Sequence, residues 1–218
     1  MYYKSGAIEI SKITISPPDE HISYDEYKEK FDAKNYVGSP ILLQAEDADI
    51  RSRKSLTSQY SNDPTVTPFV VGKRVQNVLN GWSYRRGNDE ITWNIDVPET
   101  GLYQLAFRVM QNYYPGRVVY RQILINGEIP FNEAINFAIQ GTGQKFQIVT
   151  FGDSDSPYSL YLQKGTNTIT LRALMGDLSE VYFSLFDVSY TLNKTILDIL
   201  TITGSTPDPN FNYQLENK

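Results

Sequence analysis

Two segments rich in aromatic and arginine side chains carry the residues best suited to binding chemistry, Trp82–Arg86 and Gln111–Arg117. A flat aromatic ring packs against the C–H face of a sugar ring, and nearby amide or guanidinium groups bond the hydroxyls. We therefore predict four aromatic platforms on which a sugar ring stacks, and three side chains that bond the hydroxyl or carboxylate groups of the ligand. The platforms are Trp82, Tyr84, Tyr113 and Tyr114, and the partners are Arg85, Asn112 and Arg117. The alternative is that a given loop tyrosine is a half-buried packing residue.

The sequence gives little support for a set of catalytic residues. His21 is the only histidine and lies in a Pro-rich stretch, so a histidine base or a Ser-His-Asp set in the core is not predicted. There is no cysteine, which excludes thiol catalysis, disulfides and thiolate metal sites. Nothing singles out a glycosidase-like pair among the 25 Asp and Glu residues, and Asp153 and Asp155 are typical turn formers. We predict that the protein is not an enzyme.

Charge and hydropathy exclude two further classes of protein. The net charge of −5 is spread along the chain, whereas nucleic-acid binding requires a basic face. Apolar runs stay well below the roughly 18 residues of a transmembrane helix. The N-terminus lacks the basic and apolar regions of a signal peptide. The chain is therefore expected to be either intracellular or a piece of a longer secreted protein.

Hydrophobic alternation around residues 91–131 predicts antiparallel β-strands. Tyr103, Leu105, Phe107 and Val109 fall on one face, with the period of two that is typical of a half-buried strand. Asn126-Gly127 predicts a type I′ hairpin turn, which needs positive φ at both central residues. Trp93 is assigned to the core, because Ile91 and Ile95 share its face.

The remaining patterns complete an all-β prediction: an antiparallel β-sandwich (jelly roll) with a short N-terminal linker helix. Ser23 and Glu26 form a capping box that starts this helix. No helix of core length is expected between residues 39 and 192. Further strands are expected at 6–16, 41–46, 70–79, 146–151 and 181–190, with a hairpin of 158–162 and 168–172. The predicted organisation is the end of an upstream domain plus linker at 1–37, the β-sandwich at 38–192, and a linker toward a downstream domain at 193–218.

The order of these signals resembles that of a known group of β-sandwiches. The signals are the segments Gln44–Asp47, Trp93–Tyr103, Arg108, Asn126-Gly127, Leu162–Leu171 and Asp187. Together they resemble the galactose-binding-domain-like sandwiches, especially carbohydrate-binding modules of families 6 and 35, over about residues 40–192.

The resemblance implies a structural calcium ion at one edge of the sandwich. Carried over by position, its side-chain ligands are Gln44 and Glu46 from the first strand and Asp187 from the last. Calcium prefers a shell of oxygen ligands, which these residues and backbone carbonyls supply. Phe186, Val188 and Tyr190 would share the opposite face of the last strand, so a bulge is required to turn Asp187 toward Glu46. The alternative is that Glu46 and Asp187 are solvated edge carboxylates.

The resemblance further implies a non-catalytic glycan-binding module in a larger secreted or cell-surface bacterial protein. Its expected partners are a polysaccharide or oligosaccharide and neighbouring domains of the same chain. Related modules often carry a ligand-contacting Asn shortly before the last-strand Asp, where this chain has Ser184. The alternative is therefore a structural spacer or protein-interaction sandwich without a sugar site.

Overall fold

The computed structural model describes residues 11–12, 20–31, 33–69, 71–72, 75–112, 116–153, 155–176 and 178–214. Two helices lie in these ranges, α1 (Tyr24–Lys30) and α2 (Leu178–Thr203). The strands are β1 (Ile50–Arg51), β2 (Ser58–Gln59), β3 (Val78–Leu79), β4 (Glu90–Val97), β5 (Gly101–Gln104), β6 (Ala106–Val109), β7 (Val119–Ile125), β8 (Phe137–Ile139), β9 (Gln147–Thr150), β10 (Ser159–Leu162) and β11 (Gly165–Leu174). Short 3-10 turns cover Ala45–Asp47 and Asn132–Ala134.

The main sheet has five antiparallel strands in the order β1-β4-β11-β7-β8. Strand β11 lies at its centre and pairs with β4 on one side and β7 on the other. Side chains alternate between the two faces of each strand, as the pleat requires. In β4, Ile91, Trp93, Ile95 and Val97 are buried while the residues between them are less so. This alternation defines an inner face that is covered by a second layer.

The second layer consists of two antiparallel pairs, β5 with β10 and β6 with β9. Tyr103, Leu105, Phe107 and Val109 from this layer pack on the main core cluster, as their spacing predicted. Phe131 lies fully buried in the same cluster, which also contains inner-face residues of β4, β7 and β11. The predicted all-β antiparallel sandwich is therefore confirmed.

Locally encoded features agree with the sequence prediction. Asn126 and Gly127 both have positive φ, at 53° and 85°, as the predicted hairpin turn requires. Ser23 and Glu26 form the reciprocal capping box that starts α1. Tyr27 of this helix is buried in the main core cluster. Helix α1, which was predicted as a linker helix, therefore also packs into the sandwich.

Strand pairing differs from the prediction for the segments 158–162 and 168–172. They were expected to form a hairpin, but β10 pairs with β5 while β11 pairs with β4 and β7. The two strands follow each other in sequence and belong to different layers, so the short link between them crosses the sandwich. Residues 41–44 have no regular structure and Ala45–Asp47 form a 3-10 turn, so the strand predicted at 41–46 is wrong. Among the described residues of the strand predicted at 70–79, the part that pairs is β3.

The C-terminal segment is the largest departure from the sequence prediction. The last strand expected at 181–190 is wrong, because Leu178–Thr203 form the single helix α2. The linker expected from residue 193 is likewise helical up to Thr203. Val181, Leu185 and Val188 recur at the helical spacing of three and four residues. The same segment also fits the period of two that is typical of a strand, so the sequence pattern allowed both structures. Many apolar side chains of α2 are exposed, Phe183 and Phe186 among them.

Two further findings concern the ends and the hydropathy of the chain. Apart from Ser11 and Lys12, the strand expected at 6–16 lies outside the described residues. Among the helices that the structure describes, none combines the length and apolarity needed to cross a membrane.

The buried aromatic cluster predicts the first measurable effect. Phe131 is fully buried and its ring packs against Tyr24, Tyr27, Phe151 and Tyr158. We expect Phe131→Ala to lower the free energy of unfolding by about 3–5 kcal/mol, because it leaves a cavity that rigid neighbours cannot fill. Urea unfolding followed by fluorescence measures the change.

The matched control is Phe186→Ala, which removes an equally large side chain that is exposed on α2. We expect a change within about 0.5 kcal/mol for this variant. Equal effects of the two substitutions would contradict the assigned core.

Candidate functional site

The topology brings the two candidate ligand-binding segments to the same end of the sandwich. We name residues 80–89 loop A and the described residues 110–112 and 116–118 loop B. Loop A leads into β4 and loop B leads into β7, and the start of each strand lies beside the end of the central strand β11. Two cross-strand pairs fix this end of the sheet, Glu90 with Arg172 and Tyr120 with Leu174. Loops that are far apart in sequence therefore share one surface.

Hydrogen bonds to its flanks hold loop A in a defined shape. The backbone N–H of Asn80 donates to the carbonyl of Thr57 at 2.9 Å, and the Asn80 amide donates to the Thr57 hydroxyl. The backbone N–H groups of Ser83 and Tyr84 both donate to the Asn80 carbonyl. Arg53 donates to the Ser83 carbonyl at 2.8 Å. The loop is thus anchored to the segment before β2.

An ion pair lies beneath this loop. Arg53 bonds both carboxylate oxygens of Asp89, with Nε–Oδ1 at 2.6 Å and Nη2–Oδ2 at 2.7 Å. Asp89 also accepts the backbone N–H of Arg86. Bonding to the Arg53 guanidinium lowers the pKa of the Asp89 carboxyl below its ordinary value, against the opposing effect of burial. The partly buried pair therefore stays charged at neutral pH and ties Ser83 and Asp89 of loop A to Arg53.

Trp82 and Arg85 form the exposed aromatic feature of loop A. The Trp82 side chain is 51% exposed, and the Arg85 guanidinium carbon lies 3.6 Å from the centre of its ring. Arginine stacked on an indole is held by the ring quadrupole while its outer N–H groups stay available to other acceptors. The pair thus places an apolar plane beside charged hydrogen-bond donors.

Tyr84 is buried, whereas its predicted role as a sugar platform requires a side chain on the surface. It is only 5% exposed and belongs to the second core cluster. Its hydroxyl donates to the Leu171 carbonyl at 2.6 Å, and burial raises the pKa of this hydroxyl. The guanidinium of Arg121 lies 4.5 Å from the Tyr84 ring centre and donates to the Tyr84 carbonyl. Tyr84 thus connects loop A to the main sheet.

Loop B presents amide groups at the same end of the sandwich. The Asn112 side-chain amide donates to Gln144 at 3.3 Å, and Arg117 is exposed. Gln111 is 8% exposed and donates to the Arg117 carbonyl, while its Oε1 atom is buried and has no hydrogen-bond partner among the described residues. A buried acceptor without a partner is uncommon and marks a place where a water or ligand donor is favourable. The predicted platforms Tyr113 and Tyr114 lie outside the described residues.

The charges at this end are mainly positive although the whole chain carries −5. Arg53 pairs with Asp89, and Arg172 pairs with Glu90 at 2.5 Å. Among the described ion pairs none includes the remaining arginines of these loops and of β7, which are Arg85, Arg86, Arg117 and Arg121. Arg121 is largely surrounded by protein, and burial lowers its pKa from the ordinary value. The loop end therefore favours ligands that carry negative charge.

The residues predicted to bind calcium are not arranged as expected. Asp187 lies exposed on helix α2 rather than on a strand next to Glu46. Gln44 donates weakly to Thr67, at 3.5 Å, and burial raises the pKa of the Glu46 carboxyl. The Glu46 carbonyl already accepts the guanidinium of Arg51 at 2.6 Å. The described residues contain no group of three or more histidine, aspartate or glutamate side chains that could hold a metal ion.

The sequence prediction missed several residues that shape this end of the sandwich, notably Arg53, Asp89, Gln111 and Arg121. One of them left a signal in the sequence. Arg121 alternates with Ile123 and Ile125, which places it on the inner face of β7 and indicates a buried charge. Arg53 and Asp89 are far apart in sequence, and no local pattern pairs them.

Comparisons with known proteins give likenesses of fold. No protein-family model matches the chain, and no curated protein matches it either. A native family 35 carbohydrate-binding module from Clostridium thermocellum is 22% identical, with a TM-score of 0.47 over 63% of this chain and 88% of that chain. The family 35 module of Cellvibrio japonicus Abf62 is 22% identical, with a TM-score of 0.40 over 62% of this chain and 82% of that chain.

A third similar structure is a much larger enzyme. It is a cycloisomaltooligosaccharide glucanotransferase of Paenibacillus sp. complexed with cycloisomaltoheptaose, 21% identical, with a TM-score of 0.46. The alignment covers 66% of this chain and 17% of that one. The TM-scores of all three are below 0.5, so the function of this chain has to follow from its own side chains.

The ion pair beneath loop A predicts a pH-dependent stability difference. Because the folded-state pKa of Asp89 lies below its unfolded value of about 3.9, the pair stabilises the fold above that pH and loses its effect as pH falls through the folded pKa. We expect Asp89→Asn to lower the free energy of unfolding by about 1–3 kcal/mol at pH 7, because Asp89 loses charged hydrogen bonds to an arginine that is partly exposed. Urea unfolding of both proteins between pH 7 and pH 3 measures the difference, which should shrink below about pH 4.

The control is Asp25→Asn, since Asp25 is exposed and its ion pair with Lys28 lies on the surface. This variant is expected to match the parent protein at pH 7. A stability difference for Asp89→Asn that stays constant down to pH 3 would contradict the assigned charge of the Arg53–Asp89 pair.

Proposed function

We propose that the chain is a non-catalytic module that binds an oligosaccharide or polysaccharide at the loop end of the sandwich. One observation carries this proposal: Trp82 is exposed with Arg85 stacked 3.6 Å from its ring, on a loop that hydrogen bonds hold in shape. An indole fixed on a rigid loop loses little conformational entropy on binding, which favours stacking against a sugar ring. Loop B adds amide donors and acceptors at the same end of the sandwich.

The charge of this end supports a preference for acidic glycans. Arg85 and Arg117 are exposed, and neither belongs to a described ion pair. A guanidinium bonds a carboxylate through two parallel N–H donors, a geometry that a neutral hydroxyl uses only in part. We therefore propose that the ligand carries carboxylate or sulfate groups, for which the arginines supply the partners.

The proposed setting is outside the cell, where the module acts as part of a longer protein. Binding glycan would there hold the parent protein close to a polysaccharide or a cell wall. The absence of cysteine in the sequence is compatible with this location and does not require it.

A second candidate function is protein contact, and helix α2 favours it. Its exposed apolar side chains include Phe183, Leu185 and Phe186, each more than 60% exposed. A large exposed apolar surface commonly marks an interaction surface. A folded sample that binds none of a broad set of glycans would favour this function over glycan binding.

The stacked pair predicts the effect of substitutions on glycan affinity. We expect Trp82→Ala to weaken binding of a carboxylated oligosaccharide by about tenfold or more, because the apolar plane is lost. Arg85→Gln is expected to weaken binding of the carboxylated ligand more than binding of a neutral ligand of equal length. Isothermal titration calorimetry with galacturonate and glucose oligomers measures both effects.

Phe211→Ala provides the control, since Phe211 is an exposed aromatic residue that follows α2. Its affinity should equal that of the parent protein. If Trp82→Ala bound a demonstrated glycan ligand as tightly as the parent protein, the stacking site would be wrong. If a neutral oligomer bound more tightly than the carboxylated one, the proposed preference for acidic glycans would be wrong.

A further inference from the structure

The 3-10 turn Ala45–Asp47 is held to the sandwich through its backbone carbonyls. The indole N–H of Trp93 donates to the Ala45 carbonyl at 3.3 Å. The Glu46 carbonyl accepts Nη2 of Arg51 at 2.6 Å and the hydroxyl of Ser58 at 3.3 Å. These oxygens point inward, toward groups that are fixed by the main sheet and by the segment after β1.

The guanidinium of Arg51 in β1 joins this turn to the segment 56–58. Arg51 donates to the Glu46 carbonyl, to the Leu56 carbonyl at 3.0 Å and to the Ser58 hydroxyl at 2.9 Å. The fixed fork of arginine N–H groups allows one side chain to reach several acceptors at once, and the group keeps its charge at all accessible pH values. A permanent positive charge is thus surrounded by backbone and hydroxyl oxygens.

The register of β1 keeps the Arg51 side chain in this position. Arg51 pairs with Ile91, whose side chain is fully buried, while the adjacent Ile50 pairs with Thr92 and is 60% exposed. Successive side chains of a strand point to opposite faces, so Arg51 shares the inner face with Ile91. The order of the main sheet places β1 at its edge, and the guanidinium therefore fastens both the edge strand and the turn before it.

We infer that Arg51 is a built-in cation that holds this turn and edge strand together without a bound calcium ion. The implied calcium shell is completed by backbone carbonyls, and at this turn the carbonyl oxygen of Glu46 already accepts the guanidinium at 2.6 Å. Calcium ligands lie at about 2.3–2.6 Å from the ion and number six to eight, so the two cations cannot share this oxygen at low cost. A divalent ion beside the guanidinium would also meet direct charge repulsion. The turn and the edge strand are therefore held by the guanidinium in place of calcium.

This inference does not depend on the proposed glycan binding, because its readout is stability alone. We expect the melting temperature of the parent protein to be the same, within about 1 °C, in millimolar calcium chloride and in the chelator EGTA. Differential scanning calorimetry measures the temperature, and titration with calcium chloride should give no heat of binding. A melting temperature that falls in EGTA and returns with calcium would overturn the inference.

Substitution of Arg51 tests its structural role directly. We expect Arg51→Met to lower the melting temperature by about 5 °C or more in both buffers, since three acceptors lose a charged donor at once. Arg51→Lys keeps the positive charge but lacks the forked set of N–H donors that reaches several acceptors. Its melting temperature should therefore lie between those of Arg51→Met and the parent protein. The matched control is Arg108→Met, which alters an exposed arginine on β6 and is expected to shift the temperature by less than about 2 °C.

Equal shifts for Arg51→Met and Arg108→Met would overturn the assigned role of Arg51. If Arg51→Met does not fold, Arg51→Lys and the calcium and chelator comparison of the parent protein still decide the question.

Discussion

Strand β11 is the element on which the rest of the structure depends. It pairs with β4 and β7 along most of its length, and its inner residue Ile169 lies between Trp93 and Ile125 of the two neighbours. Backbone hydrogen bonds on both sides, together with burial of the inner face, make this register costly to change. The same register sets which loops meet at each end, so the placement of the candidate site follows from the pairing of one central strand.

Arginine side chains serve different purposes in different parts of this chain. Arg51 and Arg53 are bonded to several internal acceptors and hold loops to the sheet, while Arg85 is exposed and stacks on Trp82. An internal guanidinium is stable only where enough oxygens satisfy its donors, a condition that the carbonyl-rich turns meet. The division between internal and exposed arginines thus separates the residues that shape the loop end from those proposed to bind ligand.

Much of the fold could be predicted from the sequence, while the candidate site could be predicted only in part. Trp82 and Arg85 were predicted as ligand-binding residues and lie on the surface in contact with each other. Tyr84, from the same short motif, is buried and bonds Leu171. The two aromatic residues have similar local surroundings in sequence. Their exposure differs because the main sheet lies behind Tyr84, and the sequence of the loop contains no information about that packing.

The features that the sequence by itself determined are those governed by neighbouring residues. The Ser23 capping box, the Asn126-Gly127 turn and the alternation of Ile91, Trp93 and Ile95 depend on local backbone geometry and on a strand period of two. Only the tertiary structure decided the partners of β10 and β11 and the helical state of residues 181–190. Strand pairing is a contact between distant segments, and a run of apolar residues satisfies both periods, so local patterns leave these outcomes open.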